Sequence, residues 1–289
     1  MNRIYIKIIM FILICFNFSL YAVEKEKTYT SIETLIKNHS VSAKIIGLGG
    51  HSEECTEFQI QSLKKDTLYI LIEPGRRLVS DDSTFQDILI IKKYEITLPP
   101  LASIILNGYG FCCQSSNSSP KKNALFKIGF MAPKTWVELA EYVNENNFPS
   151  SAIQNAVWVM SNNHPISSVH HENPEIVLPL KQKLAKLKKE ELPWYSLTFV
   201  SDTSRLFTGE AEELFGKITY RVKNQSIISI NIRNSEGKVV STLVENVARG
   251  PGEYFVNIKI PVKNWTKGKY SVYIIEDYSN INTKKDFNL

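Results

Sequence analysis

The side chains in this sequence most able to do covalent chemistry are the thiols of Cys55, Cys112 and Cys113 and a handful of imidazoles. A cysteine becomes a nucleophile when a nearby base takes its proton. His51, in Gly49-Gly50-His51-Ser52, could serve as base to Cys112 or Cys113, the pattern of a cysteine-dependent hydrolase. No orienting acid accompanies it, and a Gly-Gly pair before a short strand is also ordinary turn chemistry. His164, His170, His171 and Glu172 form the one histidine cluster. Pro165 and Pro174 interrupt that stretch, so it reads as a surface loop rather than the rigid, fixed spacing that metal ligands need. With no phosphate loop, nucleotide fingerprint or zinc spacing, neither cofactor nor metal is expected.

Residues 2–22 have a basic start, an apolar run from Ile8 to Phe16 and an end at Ala22, the three parts of a secretory signal peptide spanning 1–22. The apolar run is shorter than the roughly 20 residues that cross a bilayer, so no stable transmembrane span is expected after processing. Ile14 precedes Cys15 where a lipoprotein would need a small residue. Three cysteines then meet an oxidising compartment. On a strand Cys112 and Cys113 point to opposite faces, so Cys55 can bridge only one of them. A single structural disulfide with one buried thiol is the plain outcome; a Cys55–Cys113 bridge would leave Cys112 free. The formal charge of +5 falls to +3 without Arg3 and Lys7, too small and scattered for a nucleic-acid partner.

These residues must be positioned by a mainly β (α+β) chain. Between Val41 and Cys113 the runs Phe58–Leu63, Thr67–Ile72, Asp87–Ile91 and Ile96–Leu98 alternate with turn residues, which predicts a β-sandwich or barrel. Trp136, Leu139, Ala140 and Val143 then recur at helical spacing behind Thr135 and Glu138, a capping-box pair. A second helix begins at Ser151, with Ile153, Ala156, Val157 and Met160 on one face and Gln154 placed to cap Ser151. A third is expected over Leu180–Leu192, ended by Pro193. Together 41–193 form one β-rich domain with a helical segment. Residues 194–207 read as a connector, and 208–289 as an immunoglobulin-like β-sandwich, from the alternating runs at Ile218, Ile228, Tyr254 and Tyr270.

Two resemblances add to this. The series Ile218-Thr-Tyr, Gly237-Lys-Val-Val, Gly252-Glu-Tyr and Gly268-Lys-Tyr-Ser-Val-Tyr, closing on Lys284-Lys285-Asp286-Phe287, resembles the C-terminal type A sorting domains of type IX secretion and the Ig-like domain of hook-capping proteins. That resemblance implies an export machinery as partner. The segments Tyr109-Gly-Phe-Cys-Cys and Gln154-Asn-Ala-Val-Trp158 resemble the thioester domains of bacterial surface adhesins. There a cysteine after an aromatic residue is joined to the glutamine of a Thr-Gln-x-Ala-Ile-Trp motif; here Ile153 stands in place of the Thr. The resemblance implies a Cys112–Gln154 thioester, with Cys113 as the alternative cysteine, and Tyr109 or Trp158 shielding it from water. The expectation is an exported or cell-surface adhesion protein, extracellular or periplasmic, with a protein or glycan ligand. A cysteine hydrolase and a purely structural envelope protein are the alternatives.

Overall fold

The computed structural model describes residues 27–200 and 207–289; the expected signal peptide and its Cys15 lie outside them. The first unit contains, in chain order, β1 (Thr30–Ser31), α1 (Ile32–Lys37), β2 (Val41–Gly47), β3 (Ser52–Ser62), β4 (Leu68–Ile72), β5 (Arg76–Ser80), β6 (Ile88–Ile90), β7 (Tyr94–Leu98), β8 (Ser103–Cys112) and β9 (Leu125–Met131). Six of these close an antiparallel barrel in the order β2-β3-β8-β6-β5-β9, while β1, β4 and β7 make a separate small sheet. The alternation read from the sequence therefore resolves as a barrel. Its interior is filled by Ile45, Phe58, Ile60, Leu78, Ile88, Ile90 and Phe126, joined by Ile32 of α1 and Ile70 and Ile72 of β4.

Strand β8 is where barrel and helices meet. Its even-numbered residues, Gly108, Gly110 and Cys112, face the barrel interior, while Tyr109, Phe111 and the adjoining Cys113 face outward, as the two-residue period of a strand requires. Gly110 is glycine for want of room, since a Cβ there would sit 2.5 Å from Ile88 Cγ2. On the outer face Phe111, Leu89 and Cys113 form the floor of a second core, covered by α2 (Lys134–Glu145), α3 (Ser150–Ser161) and α4 (Pro174–Lys188).

Both expected capping boxes are absent. Helices α2 and α3 each start one residue earlier, directly after Pro133 and Pro149, and neither has a side-chain cap. Helix α4 is displaced from its expected Leu180–Leu192. It opens with Asn173 accepting from the Glu175 N–H, has Pro174 in its first turn, and stops before Lys189, which is left-handed at φ 58°. It runs through Pro179.

The remaining strands are β10 (Tyr195–Phe199), β11 (Ala211–Val222), β12 (Ser226–Asn234), β13 (Val239–Arg249), β14 (Gly252–Pro261), β15 (Lys269–Glu276) and β16 (Asn280–Asn288). They form a sandwich of two sheets, β10-β11-β14 and β13-β12-β15-β16, around Leu214, Ile218, Ile230, Val272 and Phe287. The segment expected as connector thus begins with a strand: Tyr195 to Phe199 pairs antiparallel with β11. This strand also holds the two units together. Lys181 Nζ of α4 donates to Tyr195 O (2.8 Å) and Ser196 Oγ (3.0 Å), and the Ser196 hydroxyl donates to Val169 O. Burial pushes the Lys181 ammonium down to about 8. The Lys284-Lys285-Asp286-Phe287 ending lies on β16, with Phe287 buried between the sheets and Asp286 bonded to Ser271.

Arg76 is the most deeply buried charge of the first unit. Its guanidinium, 1% exposed, bonds Glu73, Glu33, Ser31 Oγ and Gly129 O, so four segments share one cation. Removing it leaves Glu73 without its cation and Glu33 with Lys37 alone, and breaking such a buried pair costs about 3–5 kcal/mol. Arg76→Ala is expected to lower unfolding free energy by that amount in urea titration, whereas Arg221→Ala, whose partner Glu253 is as exposed as itself, should leave it within about 0.5 kcal/mol.

Candidate functional site

Helix α3 is buried nearly all round: Ala152, Ile153, Ala156, Val157, Trp158 and Val159 all sit inside. A polar side chain on such a helix must find partners or cost stability. Gln154, 3% exposed, finds them on Cys112. Its Oε1 accepts from the Cys112 main-chain N–H (3.2 Å), and its Nε2 donates to the Cys112 carbonyl (2.7 Å). The carboxamide extends the edge of β8 where β3 gives out, and it shares the Cys112 N–H with His51 O at 3.0 Å. The two residues that the sequence singles out together, 42 positions apart, are therefore direct neighbours. The glutamine reaches across to the barrel instead of back to the start of its own helix.

The thiols are placed by strand alternation. Cys112 turns into the barrel core and Cys113 into the core under α3. Cys55 also lies in the barrel core, at the bulge where the β3–β8 register shifts between Glu54 and Thr56. Cys55 and Cys113 are thus on opposite sides of the barrel wall, so the expected bridge between them does not form, and all three cysteines are free. The Cys55 thiol points to Gly110 O and that of Cys113 to Asp87 O. Burial holds each as the neutral thiol, with Cys55 and Cys113 pushed up to about 12 and Cys112 higher still. None of them is a solvent-facing nucleophile. His51 meets Cys112 through its main-chain carbonyl, and no acid orients it toward a thiol, so the residues of a cysteine hydrolase are not assembled.

Of the two aromatic residues expected to shield the site, the structure brings one to it. Trp158, one turn along α3 from Gln154, borders a cavity of about 430 Å³ that Gln154 also lines. Tyr109 faces outward over the helical core, edge-on to Phe111 and beneath the Lys92 ammonium, and is not part of that cavity's lining. The rest of the lining escaped the sequence reading. Ser168 and His170 come from the stretch taken as a surface loop, Leu197 and Phe199 from β10, and Phe207 from the residue where description resumes. Its first part is buried, with Ile166 to Ser168 in a 3₁₀ turn packed beneath β10, while Glu172 and Asn173 are exposed as expected of a surface loop. The alternation Tyr195-Leu197-Phe199 was the available signal.

The polar character of the cavity is distinctive. Among the described residues no aspartate or glutamate lines it. His51 and His170 border it half-buried, and burial lowers the basicity of both. Trp158 Nε1 and Ser168 Oγ, buried at its edge, have no hydrogen-bond partner. His164 lies behind it, stacked on Phe207 at 3.8 Å with Nε2 on Ser115 Oγ at 2.9 Å. Among the described residues no group of three or more His, Cys, Asp or Glu is arranged to hold a metal ion, and no helix is long and apolar enough to cross a membrane.

No protein-family model and no curated protein matches this sequence. The reading of the site therefore rests on its chemistry.

The His164 environment has a measurable consequence. Burial, aided by Lys188, pushes its imidazole down to about 4 from an ordinary 6.5. Between those values the unfolded chain binds a proton that the folded chain refuses, so stability falls as pH drops from about 6.5 toward 4. Melting temperature should fall over that window in the native protein, and the slope should shrink in His164→Gln, which keeps a polar group beside Ser115.

Proposed function

We propose that this chain is an exported surface-binding protein whose first unit carries an internal Cys112–Gln154 thioester for covalent attachment to a partner, with the C-terminal sandwich serving its sorting or display. What carries the reading is the seat of the Gln154 carboxamide on the main chain of Cys112, at the junction of barrel and helices. The same pair bears the resemblance to adhesin thioester domains.

The contacts suit the chemistry. A tetrahedral intermediate at the carboxamide carbon would carry its negative charge on Oε1, which already accepts the Cys112 N–H. The Cys112 thiol adds to the carbon, the C–N bond breaks, and the thiol proton leaves with the nitrogen as ammonia. Attachment then reverses the sense: an acceptor amine bonds to the acyl carbon, the C–S bond breaks, and one amine proton passes to sulfur. Because the acyl donor is internal, a deeply buried thiol is no obstacle, and the acceptor approaches through the cavity that Gln154 lines. The apolar side chains of Trp158, Leu197 and Phe199 limit the water there.

Intact mass of the purified mature protein tests this. A native mass short by one ammonia, raised by a single methylamine addition to one methylene above the unmodified mass, is the expected result; Cys112→Ala and Gln154→Ala should each abolish both. Gln154→Ala also leaves the Cys112 carbonyl without its partner and should cost about 1–3 kcal/mol in denaturation, so Cys112→Ala, which keeps the Gln154 bonds, separates chemistry from folding. A full-mass protein inert to methylamine would remove the covalent step and leave a non-covalent binding protein.

A further inference from the structure

The C-terminal sandwich has a cleft of its own, and its chemistry does not depend on the covalent reading above. Asn234, the last residue of β12, pairs with Tyr270 of β15, so the turn at 235–238 and the loop at 262–268 lie side by side at one end of the sandwich. Between them is a cleft of about 650 Å³, the size of a site for a small organic ligand rather than a single ion. Both walls are pinned. Asn234 Oδ1 accepts from the Glu236 and Lys238 N–H groups. In the other wall the Trp265 N–H donates to Val262 O, the Tyr270 hydroxyl donates to Thr266 O, and Gly268 exchanges both main-chain bonds with Leu289. Walls held in this way have little freedom left to lose when a ligand binds.

Three kinds of side chain line the cleft. Trp265 supplies an aromatic ring, half-buried and backed by the Tyr270 ring at 5.2 Å between centroids. Asn234, Asn264 and Glu236 supply donors and acceptors, and Lys238, Lys267 and Lys269 supply positive charge. Lys269 is answered by Asp286 of β16 at 2.7 Å, which leaves Lys238 and Lys267 to set the sign of the cleft against Glu236. We propose that this cleft binds an acidic saccharide, one whose rings carry carboxylate or sulfate groups. Such a ligand uses all three kinds of side chain. The C–H face of a sugar ring lies on the electron-rich face of the indole. Its hydroxyls donate to Glu236 and exchange hydrogen bonds with the asparagine amides, and its anionic groups accept charge-assisted bonds from the lysines. A bare anion would meet the lysines but be opposed by Glu236, and a neutral sugar would leave the lysines unused.

Isothermal titration of the mature protein tests this, with tetragalacturonate, a hyaluronan hexasaccharide and a chondroitin sulfate hexasaccharide as acidic probes. Cellotetraose is the neutral control, and pyrophosphate and ATP are the anions without a saccharide chain. At least one acidic saccharide should bind about tenfold more tightly than cellotetraose, and added salt should weaken it, since exposed charges are screened. Lys238→Gln and Lys267→Gln should each weaken that binding about tenfold, the worth of a hydrogen bond to a charged group. Trp265→Ala should abolish it; because that ring also packs on Tyr270, Asn264→Ala, at an exposed position, is the second variant and should weaken it about fivefold. Lys223→Gln, exposed in the turn before β12 at the other end of the sandwich, should bind as the native protein does. Cys112→Ala should also bind normally, so this site and the thioester stand or fall separately. The proposal is overturned if no acidic saccharide binds more tightly than cellotetraose, if pyrophosphate or ATP binds as tightly as the acidic saccharides, or if Lys238→Gln and Asn264→Ala bind like the native protein.

Discussion

One buried side-chain amide meets both main-chain groups of a single residue across the two halves of the first unit. Gln154 projects from the most deeply buried helix onto the last residue of β8, where the ladder to β3 has ended and the main chain would otherwise face apolar side chains. An unpaired peptide group buried there would cost about 1–3 kcal/mol. The carboxamide meets both the N–H and the C=O of Cys112, so it sets the height of α3 along the barrel as well as completing the strand. The placement of Trp158, of the cavity and of the residues that close it follows from that height.

The barrel wall sorts the three thiols. Because β8 alternates, Cys112 and Cys113 belong to two separate cores though they are neighbours in sequence. Gly108 and Gly110 let β3 and β6 approach closely, the first beneath the Phe58 ring and the second beneath Ile88. Bulky residues there would push the strands apart and move the Cys112 main chain away from α3. Gly108 and Gly110, on either side of Tyr109, thereby control the site through packing.

The sandwich is more than an appendage to this arrangement. Strand β10 belongs to the sandwich by hydrogen bonding and lies over the buried turn Ile166–Ser168 of the first unit, while supplying Leu197 and Phe199 to the cavity. Lys181 secures that docking with two hydrogen bonds from an ammonium that burial has made less basic. The candidate site is thus walled by both units, and burial lowers the basicity of the histidines that border it.

Much of this was legible in the residues themselves. Strand-forming runs named β3 and β6 of the barrel and β4 and β7 of the small sheet, period-two alternation named β11, β12, β14 and β15 of the sandwich, helical spacing found α2 and α3, and the types of Cys112, Gln154 and Trp158 marked the candidate site. Those signals are local: a strand or helix must turn its apolar residues to one side, and the repeat is written in the chain. Other features depended on tertiary contact. Proline rather than a capping box began α2 and α3, because Pro133 and Pro149 direct the chain into the first turn and Gln154 had a partner elsewhere. The first part of the histidine stretch became interior because β10 covers its turn, and β10 was passed over because its partner, β11, lies beyond a gap in the pattern. Which thiol faces which core, and that one carboxamide pairs with Cys112, required strands and helices to be brought together from positions 42 residues apart. A sequence shows which groups can react; only packing decides which of them touch, because contact is set by the distances between elements and not by their order along the chain.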